Sequence, residues 1–255
     1  MAAMTRSECL ASPFGDEAAL RALCEHVVLL NVQLRPSDAE LVQENPQEHI
    51  LWDVDGGNKG TRCRAALDLI QAWRRFSNGE ACELLSGYAG ELLEQAAAAP
   101  EDQGLLYMDT CVHVVMALTG PPVVKDVASL VSTRVVEQFF AAHVAPELQA
   151  EPLHPKRAML RVACLKFVML LRGTLPAPVV LSVLPAVCRH IMSDNPVVHT
   201  YAAFCANVVS SLQGDACGPD GQKNHRSPHT VEQKRARAKI HNKRKKTSCV
   251  QRSRP

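Results

Sequence analysis

Apolar residues recur at helical spacing in one segment after another between Asp16 and about Leu212, and proline or glycine separates most neighbouring segments. In the first segment Leu20, Leu23 and Val27 lie three or four residues apart, so their side chains share one face of a helix. Aromatic residues make up only 4% of the chain, whereas Ala and Leu, which are good helix formers, are abundant. The pattern predicts an all-α chain.

The periodic stretches and their breaks also predict the bounds of the individual helices. Residues 53–58 lie between two stretches, and their Asp, Gly and Asn content indicates a loop. The predicted helices are 16–34, 38–44, one starting at Pro46, 61–76, 81–99, 105–118, 131–148, 156–172, 178–192 and 196–212.

Helix starts near residues 60, 103, 155 and 196 are separated by 43, 52 and 41 residues. HEAT-type repeats have periods of about 40–47 residues with two or three helices each. The spacing therefore favours a HEAT-like α-α superhelix of several antiparallel helix pairs over residues 16–213. A compact helical bundle agrees with the same periodicity and stays open as an alternative.

The charge of the chain is divided between two unlike parts. Residues 223–255 contain twelve Lys and Arg and one acid, Glu232, whereas the preceding residues carry a net charge of −9. Beyond residue 214 too few apolar residues remain to form a core. We predict a disordered basic tail over residues 214–255 and a disordered N-terminus over residues 1–15.

Two clusters of basic residues lie within this tail. Such clusters are typical of nuclear-localisation signals and of arms that bind nucleic acid, and they also occur in solvated segments without a partner. These alternatives stay open for the tail. The clustered residues are Lys234, Arg235, Arg237, Lys243, Arg244, Lys245 and Lys246.

Ten cysteines are present, and six of them fall within apolar helical patterns, where a free thiol behaves as a small apolar side chain. We expect reduced thiols and an intracellular protein, with no membrane-spanning helix. No C-x-x-C occurs, and we predict neither a metal site nor a cofactor. The six cysteines are Cys63, Cys82, Cys111, Cys164, Cys188 and Cys205.

Residues 50–56 resemble the apolar-D-x-D-G signature of haloacid-dehalogenase-type phosphatases. In such enzymes the first Asp, here Asp53, attacks phosphorus, the second, here Asp55, transfers a proton, and Mg²⁺ neutralises the phosphate. The motif requires a parallel sheet, which the helical pattern does not predict. We therefore expect a non-enzymatic chain with an acidic loop here and keep the phosphatase as an alternative.

Four blocks occur in the order and approximate spacing of one family. They read D-A-E-L-V-Q-E-N-P-Q-E-H-I at residues 38–50, T-R-C-R-A-A-L-D-L at 61–69, S-G-Y at 86–88 and V-V-H-T-Y-A-A at 197–203. Through these blocks the chain resembles the exportins of the importin-β superfamily that return importin-α to the cytoplasm, over roughly residues 19–212.

The resemblance implies a superhelix that binds a Ran-type GTPase in its GTP state together with importin-α, and that shuttles between nucleus and cytoplasm. It implies no catalysis, no membrane and no homo-oligomer. The family chain is much longer, so this chain is expected to correspond to its central repeats. The alternative is a generic helical-repeat adaptor whose basic tail targets the nucleus or binds RNA.

The resemblance also implies which residues contact partners, because an insertion in the middle repeats of the family touches the GTPase. The matching positions are Asp53, Asp55, Asn58 and Lys59. Arg62 and Arg64 are further candidates, with pairing to neighbouring acids as the alternative.

Residues 86–88 and 199–201, by contrast, are assigned to packing between helices. A small residue such as Gly87 permits close approach of two helices, and each Tyr has an apolar body with one polar tip.

Overall fold

The computed structural model describes residues 17–54, 61–76, 80–120, 132–151 and 155–215, and these ranges contain helices and no strand. The all-α prediction is therefore confirmed for this part of the chain. The helices are α1 (Glu17–Leu23), α2 (Leu30–Val32), α3 (Pro36–Glu44), α4 (Pro46–Val54), α5 (Arg62–Phe76), α6 (Glu80–Ala98), α7 (Glu101–Thr119), α8 (Thr133–Phe139), α9 (Ala145–Gln149), α10 (Ala158–Leu171), α11 (Ala177–Ser182), α12 (Leu184–His190) and α13 (Pro196–Asp215).

Two of the long helices contain π-helical segments, Cys24–Leu29 between α1 and α2 and Phe140–Val144 between α8 and α9. The second segment has a local cause. Pro146 lies at the start of α9 and has no amide hydrogen for the carbonyl of Ala142, so the helical hydrogen bonds are rearranged there. The predicted helix 131–148 is thus one helical stretch with an irregular middle.

Several predicted helix bounds were wrong. The predicted helix 178–192 is broken at Val183, because Pro185 in the first turn of α12 cannot donate a hydrogen bond to the preceding turn. Helix α7 begins at Glu101 rather than near residue 105. Two acids in its first turn stabilise this start, because their negative charges interact favourably with the positive end of the helix dipole. Helix α4 continues to Val54, so Asp53 belongs to a helix and not to a loop.

The helices pack as successive layers along the chain. Helix α5 packs against α2 and α7, α7 packs against α6 and α10, and α9 packs against α10 and α12. Their apolar faces form two core clusters, one built around Val28, Ile70 and Leu85 and the other around Phe140 and Phe167. Val115 and Phe139 pack against both clusters, so the core continues from one layer to the next.

Two buried arginines connect these layers. Arg74 of α5 donates hydrogen bonds from Nη1 to the carbonyls of Ala117 and Gly120, at 3.0 and 2.9 Å, and so caps the C-terminal end of α7. Arg161 of α10 has a fully buried side chain, and its Nε donates to Oε1 of Glu147 at 3.0 Å. Each guanidinium therefore satisfies groups on a helix other than its own.

The described residues up to Gly214 belong to one compact unit. None of the described helices is long and apolar enough to cross a bilayer. Cys188 is exposed, which corrects its assignment to an apolar face, whereas Cys82, Cys111, Cys164 and Cys205 are buried as free thiols. The predicted disordered segments 1–15 and 214–255, including the basic clusters Lys234–Lys246, lie outside the described residues except at the end of α13, and remain predictions.

Candidate partner-binding site

Asp53 lies in the last turn of α4 and is held by side chains from two other helices. Its Oδ2 is 2.7 Å from Nζ of Lys166 on α10, and it accepts a hydrogen bond from the hydroxyl of Tyr201 on α13. Nζ of Lys166 also stands 4.7 Å from the centre of the Tyr201 ring, within the range of a cation–π contact. We refer to Asp53, Lys166 and Tyr201 as the α4 anchor.

The environment keeps the α4 anchor in one charge state near neutral pH. Burial raises the pKa of Asp53, but the ammonium of Lys166 and the hydroxyl of Tyr201 outweigh it, and the net effect lowers the pKa. Burial and the carboxylate of Asp53 raise the pKa of Tyr201. Asp53 is therefore ionised and Tyr201 neutral, so the carboxylate accepts and the hydroxyl donates.

The charge of Lys166 lowers the pKa values of two histidines, but their net pKa shifts have opposite signs because their other neighbours differ. Burial, together with the charge of Lys166, lowers the pKa of His49, and its buried Nε2 has no hydrogen-bond partner among the described residues. Burial also lowers the pKa of His113, but the carboxylate of Asp109 outweighs it and raises the pKa overall. The Nδ1 of His113 lies 3.4 Å from Oδ2 of Asp109.

We refer to the consecutive helices α3 and α4, residues 36–54, as the α3–α4 hairpin. Arg62, in the first turn of α5, holds the start of this hairpin. Its Nη2 pairs with Asp38 in the first turn of α3. Its Nη1 donates to the carbonyl of Asn31 at 2.9 Å and to that of Leu30 at 3.3 Å, which satisfies the end of α2. One guanidinium thus connects α2, α3 and α5.

Arg64 instead lies on a solvated face of α5. Its Nε is 2.9 Å from Oδ1 of Asp68 one turn later, and both side chains are nearly half exposed. Arg64 pairs with a neighbouring acid along its own helix, as the alternative for these two residues predicted, whereas Arg62 pairs with Asp38 of α3. The structure does not bring Arg64 to the α4 anchor.

Of the predicted partner-binding residues, Asp53, Arg62 and Arg64 are described, whereas Asp55, Asn58 and Lys59 lie outside the described residues. Sequence reasoning missed Lys166, although a signal was present. Lys166 is the one charged residue between positions 162 and 171 in an otherwise apolar helix. A lysine in that setting predicts a buried acidic partner.

The outer face of the α3–α4 hairpin combines acidic and apolar side chains. Residues 36–54 contain five acids and neither Lys nor Arg. Asp38 and Asp53 are used internally, whereas Glu40 and Glu44 are exposed beside Leu41 and Leu51. Such a face attracts a cationic surface and offers it apolar contacts.

The geometry argues against the phosphatase alternative. The described ranges contain no strand, and the carboxylate of Asp53 is occupied by Lys166 and Tyr201 rather than directed at a phosphate site. Among the same residues no group of three or more His, Cys, Asp or Glu is arranged to hold a metal ion. Asp55, the second residue of that motif, lies outside them.

The Cse1 family model matches residues 1–206. This chain belongs to the Cse1 family. Among curated proteins, Exportin-2 of Oreochromis niloticus is 28% identical over 203 residues and Exportin-2 of Homo sapiens is 27% identical over 203 residues. In both cases the match covers 79% of this chain and 21% of the relative, so the chain spans about a fifth of their length.

A solved structure supports the fold of this Cse1-family chain. The exportin Cse1 in its cargo-free, cytoplasmic state superposes with a TM-score of 0.69 at 24% identity, covering 79% of this chain and 22% of that one. The predicted HEAT-like helical-repeat fold and the predicted family are both confirmed. The packing role of Tyr88 is confirmed too, since its ring is buried and its hydroxyl donates to Glu25.

Proposed function

We propose that this chain is a segment of a nuclear export receptor that binds a Ran-type GTPase in its GTP state together with importin-α, and that shuttles between nucleus and cytoplasm. The observation that carries the proposal is the match of the Cse1 family model to residues 1–206. The relatives are named Exportin-2, and the solved neighbour is titled as an exportin with a cargo-free, cytoplasmic state.

In this proposal the chain acts as a binding scaffold and not as an enzyme. The acidic and apolar face of the α3–α4 hairpin contacts the GTPase, and Asp55, Asn58 and Lys59 extend that contact. Arg62 supports this contact because its guanidinium holds Asp38, and the half-exposed Arg64 lies two residues further along α5. Asp53 contributes through its place in the α4 anchor.

A binding experiment tests the proposal. The full chain is immobilised and mixed with importin-α and a Ran-type GTPase loaded with either GTP or GDP. Retention of both proteins only with GTP supports the proposal. The same experiment with Homo sapiens Exportin-2, its matched segment replaced by residues 1–206, provides the remaining repeats. If a folded chimera also fails to retain the GTPase and importin-α, the proposal is wrong.

A second candidate function rests on the net charge of +11 carried by residues 223–255. This charge favours a nuclear-targeting segment or an arm that binds RNA through phosphate contacts. Such binding weakens steeply with salt, because each neutralised phosphate releases counterions. The candidate predicts salt-dependent binding to RNA that is lost when residues 223–255 are deleted, and nuclear accumulation of a reporter fused to those residues.

A further inference from the structure

Few of the described side chains of the α3–α4 hairpin are both apolar and buried. Val42 is its one buried apolar side chain among those described, and the partly buried Ile50 packs against the same core cluster. Leu41 and Leu51 face solvent. Polar contacts add to the apolar contacts of Val42 and Ile50 in holding the hairpin.

These polar contacts lie at the two ends of the hairpin and reach different helices. At the start of α3, Asp38 pairs with Arg62 of α5. At the end of α4, Asp53 pairs with Lys166 of α10 and accepts from Tyr201 of α13. The first turn of α3 and the last turn of α4 are thus held by different helices, and each pairs with one cation.

The cation at the end of α4 is partly buried, like the carboxylate of Asp53 that it contacts. Lys166 emerges from an apolar stretch of α10, and its side chain is only 25% exposed. Its ammonium contacts both the carboxylate of Asp53 and the ring of Tyr201, so it joins α4, α10 and α13 at one point.

Removal of this charge would leave the partly buried carboxylate of Asp53 without its cation, which disfavours the docked position of α4. Beyond the α4 anchor, the charge of Lys166 acts at longer range on the pKa values of His49, Cys63 and His113.

We propose that Lys166 is a positioning residue that holds the end of α4 against α10 and α13, and so sets the direction in which the acidic and apolar face of the hairpin is presented to a cationic partner surface. The part that concerns the partner rests on the proposed function. The part that concerns the hairpin stands on the contacts of Lys166 alone.

Hydrogen exchange of the full chain tests the anchoring part. The variant Lys166→Met keeps the apolar stem of the side chain and removes its charge. The amide hydrogens of residues 36–54 are expected to exchange about tenfold faster in this variant, whereas those of α6 and α7 are expected to keep their exchange rates. The matched control is Lys156→Met, because Lys156 pairs with Asp102 where both side chains are more than half exposed. The double variant Asp53→Lys with Lys166→Asp restores the pair in reverse and is expected to recover part of the protection.

An unchanged exchange rate at residues 36–54 in Lys166→Met overturns the proposal. So does an equal increase throughout the chain, since that result reports global destabilisation and not release of the hairpin.

Binding to the GTP-loaded Ran-type GTPase tests the second part. Lys166→Met is expected to weaken binding about tenfold, and Lys156→Met is expected to leave it unchanged. If the unmodified chain and the chimera bind no GTPase, the proposed function fails and the exchange result still decides the role of Lys166. If the unmodified chain binds and a Lys166→Met variant with a released hairpin binds equally well, the positioning role is wrong.

Discussion

Nη1 of Arg161 lies 2.7 Å from Nε2 of His190 inside the core. The same ring nitrogen is 2.7 Å from the carbonyl oxygen of Leu148, so α9, α10 and α12 meet at this imidazole. Nε2 cannot serve both neighbours at once: without a hydrogen it accepts from Arg161, whereas with a hydrogen it donates to the Leu148 carbonyl. His190 is thereby a point at which the packing of three helices depends on protonation.

This contact predicts a loss of stability in mild acid. Burial is the largest effect and lowers the pKa of His190; the hydrogen bond to the Leu148 carbonyl opposes it, Arg161 and Arg189 add to it, and the net effect is a lowered pKa. The unfolded chain, with a histidine pKa of about 6.5, then binds more protons than the folded one below that pH. The free energy of unfolding should therefore fall as the pH decreases below about 6.5, towards the lowered pKa of the folded state.

Urea unfolding of the wild-type chain and of His190→Gln, each at pH 8 and pH 5.5, measures this effect. The difference between the two pH values is expected to be smaller in the variant, because one group that binds protons preferentially in the unfolded state is gone. The comparison cancels the contributions of His49, His113 and His143, whose pKa values are also shifted. Equal pH dependence in both chains would contradict the prediction, because the protonation of His190 would then make no difference to the free energy of unfolding.

The second prediction concerns Glu147, whose buried carboxylate serves two arginines. Oε1 accepts from Arg161 at 3.0 Å and Oε2 accepts from Nη2 of Arg157 at 2.5 Å. In Glu147→Gln the fully buried Arg161 loses its counter-charge, and breaking a buried pair in this way costs about 3–5 kcal/mol. The variant should lower the free energy of unfolding by that amount in chemical denaturation.

Glu101 provides the matched control for Glu147. It lies 3.6 Å from Nη1 of the same Arg157, but its side chain is 70% exposed. Exposed pairs contribute roughly 0–1 kcal/mol, so Glu101→Gln is expected to be nearly neutral. Similar losses in the two variants would mean that burial does not decide the contribution of these carboxylates.

Two glycines are predicted to respond to the same substitution with opposite signs. A Cβ at Gly104, in the first turn of α7, would lie 2.7 Å from the carbonyl oxygen of Ala96 near the end of α6. Because that contact is with backbone, Gly104→Ala should destabilise the fold by about 1–3 kcal/mol. Gly87 in α6 has open space around such a Cβ, so Gly87→Ala should stabilise it by about 0.5–1 kcal/mol.

Thermal unfolding of both variants provides the measurement, and a stabilising Gly104→Ala would contradict the close approach of α6 and α7.

The positions of these two glycines also correct an expectation from the sequence. Gly87, in the S-G-Y block, was assigned to close helix packing, yet Gly104 is the residue at which two helices approach closely. The motif pointed to a glycine of α6, whereas the close contact is made by Gly104 of α7, because the spacing of residues along one helix does not specify where its neighbour crosses.

The sequence predicted the helical segments well because their amphipathic spacing is local information. The breaks were less predictable. Pro185 follows a break at Val183, whereas Pro146 follows a π-helical segment without interrupting the helical stretch, and the outcome depends on packing that no local pattern contains.

The sequence did not predict the α4 anchor for a similar reason. Asp53 and Lys166 are far apart in the sequence, and their pairing follows from the layered stack. The D-x-D-G pattern placed Asp53 in a loop, but helix α4 extends through it.

The last prediction concerns the stability that Asp53 contributes and its dependence on pH. The ion pair with Lys166 and the hydrogen bond from Tyr201 favour the charged carboxylate, and the net effect lowers its pKa despite burial. The group therefore contributes stability that is complete above the usual aspartate pKa of about 3.9 and is lost as the pH falls through the lowered pKa. Asp53→Asn should reduce the free energy of unfolding by about 1–3 kcal/mol at pH 7.

The difference between Asp53→Asn and the wild-type chain should shrink towards zero in strong acid, where the wild-type carboxyl is also neutral. Asp68→Asn is the matched control, because Asp68 pairs with Arg64 where both side chains are nearly half exposed, and its effect at pH 7 should stay within about 0.5 kcal/mol. Denaturant unfolding of the three chains between pH 2 and pH 7 decides the question. A difference between wild type and Asp53→Asn that is independent of pH would mean that the shape of the side chain, and not its charge, fixes the end of α4.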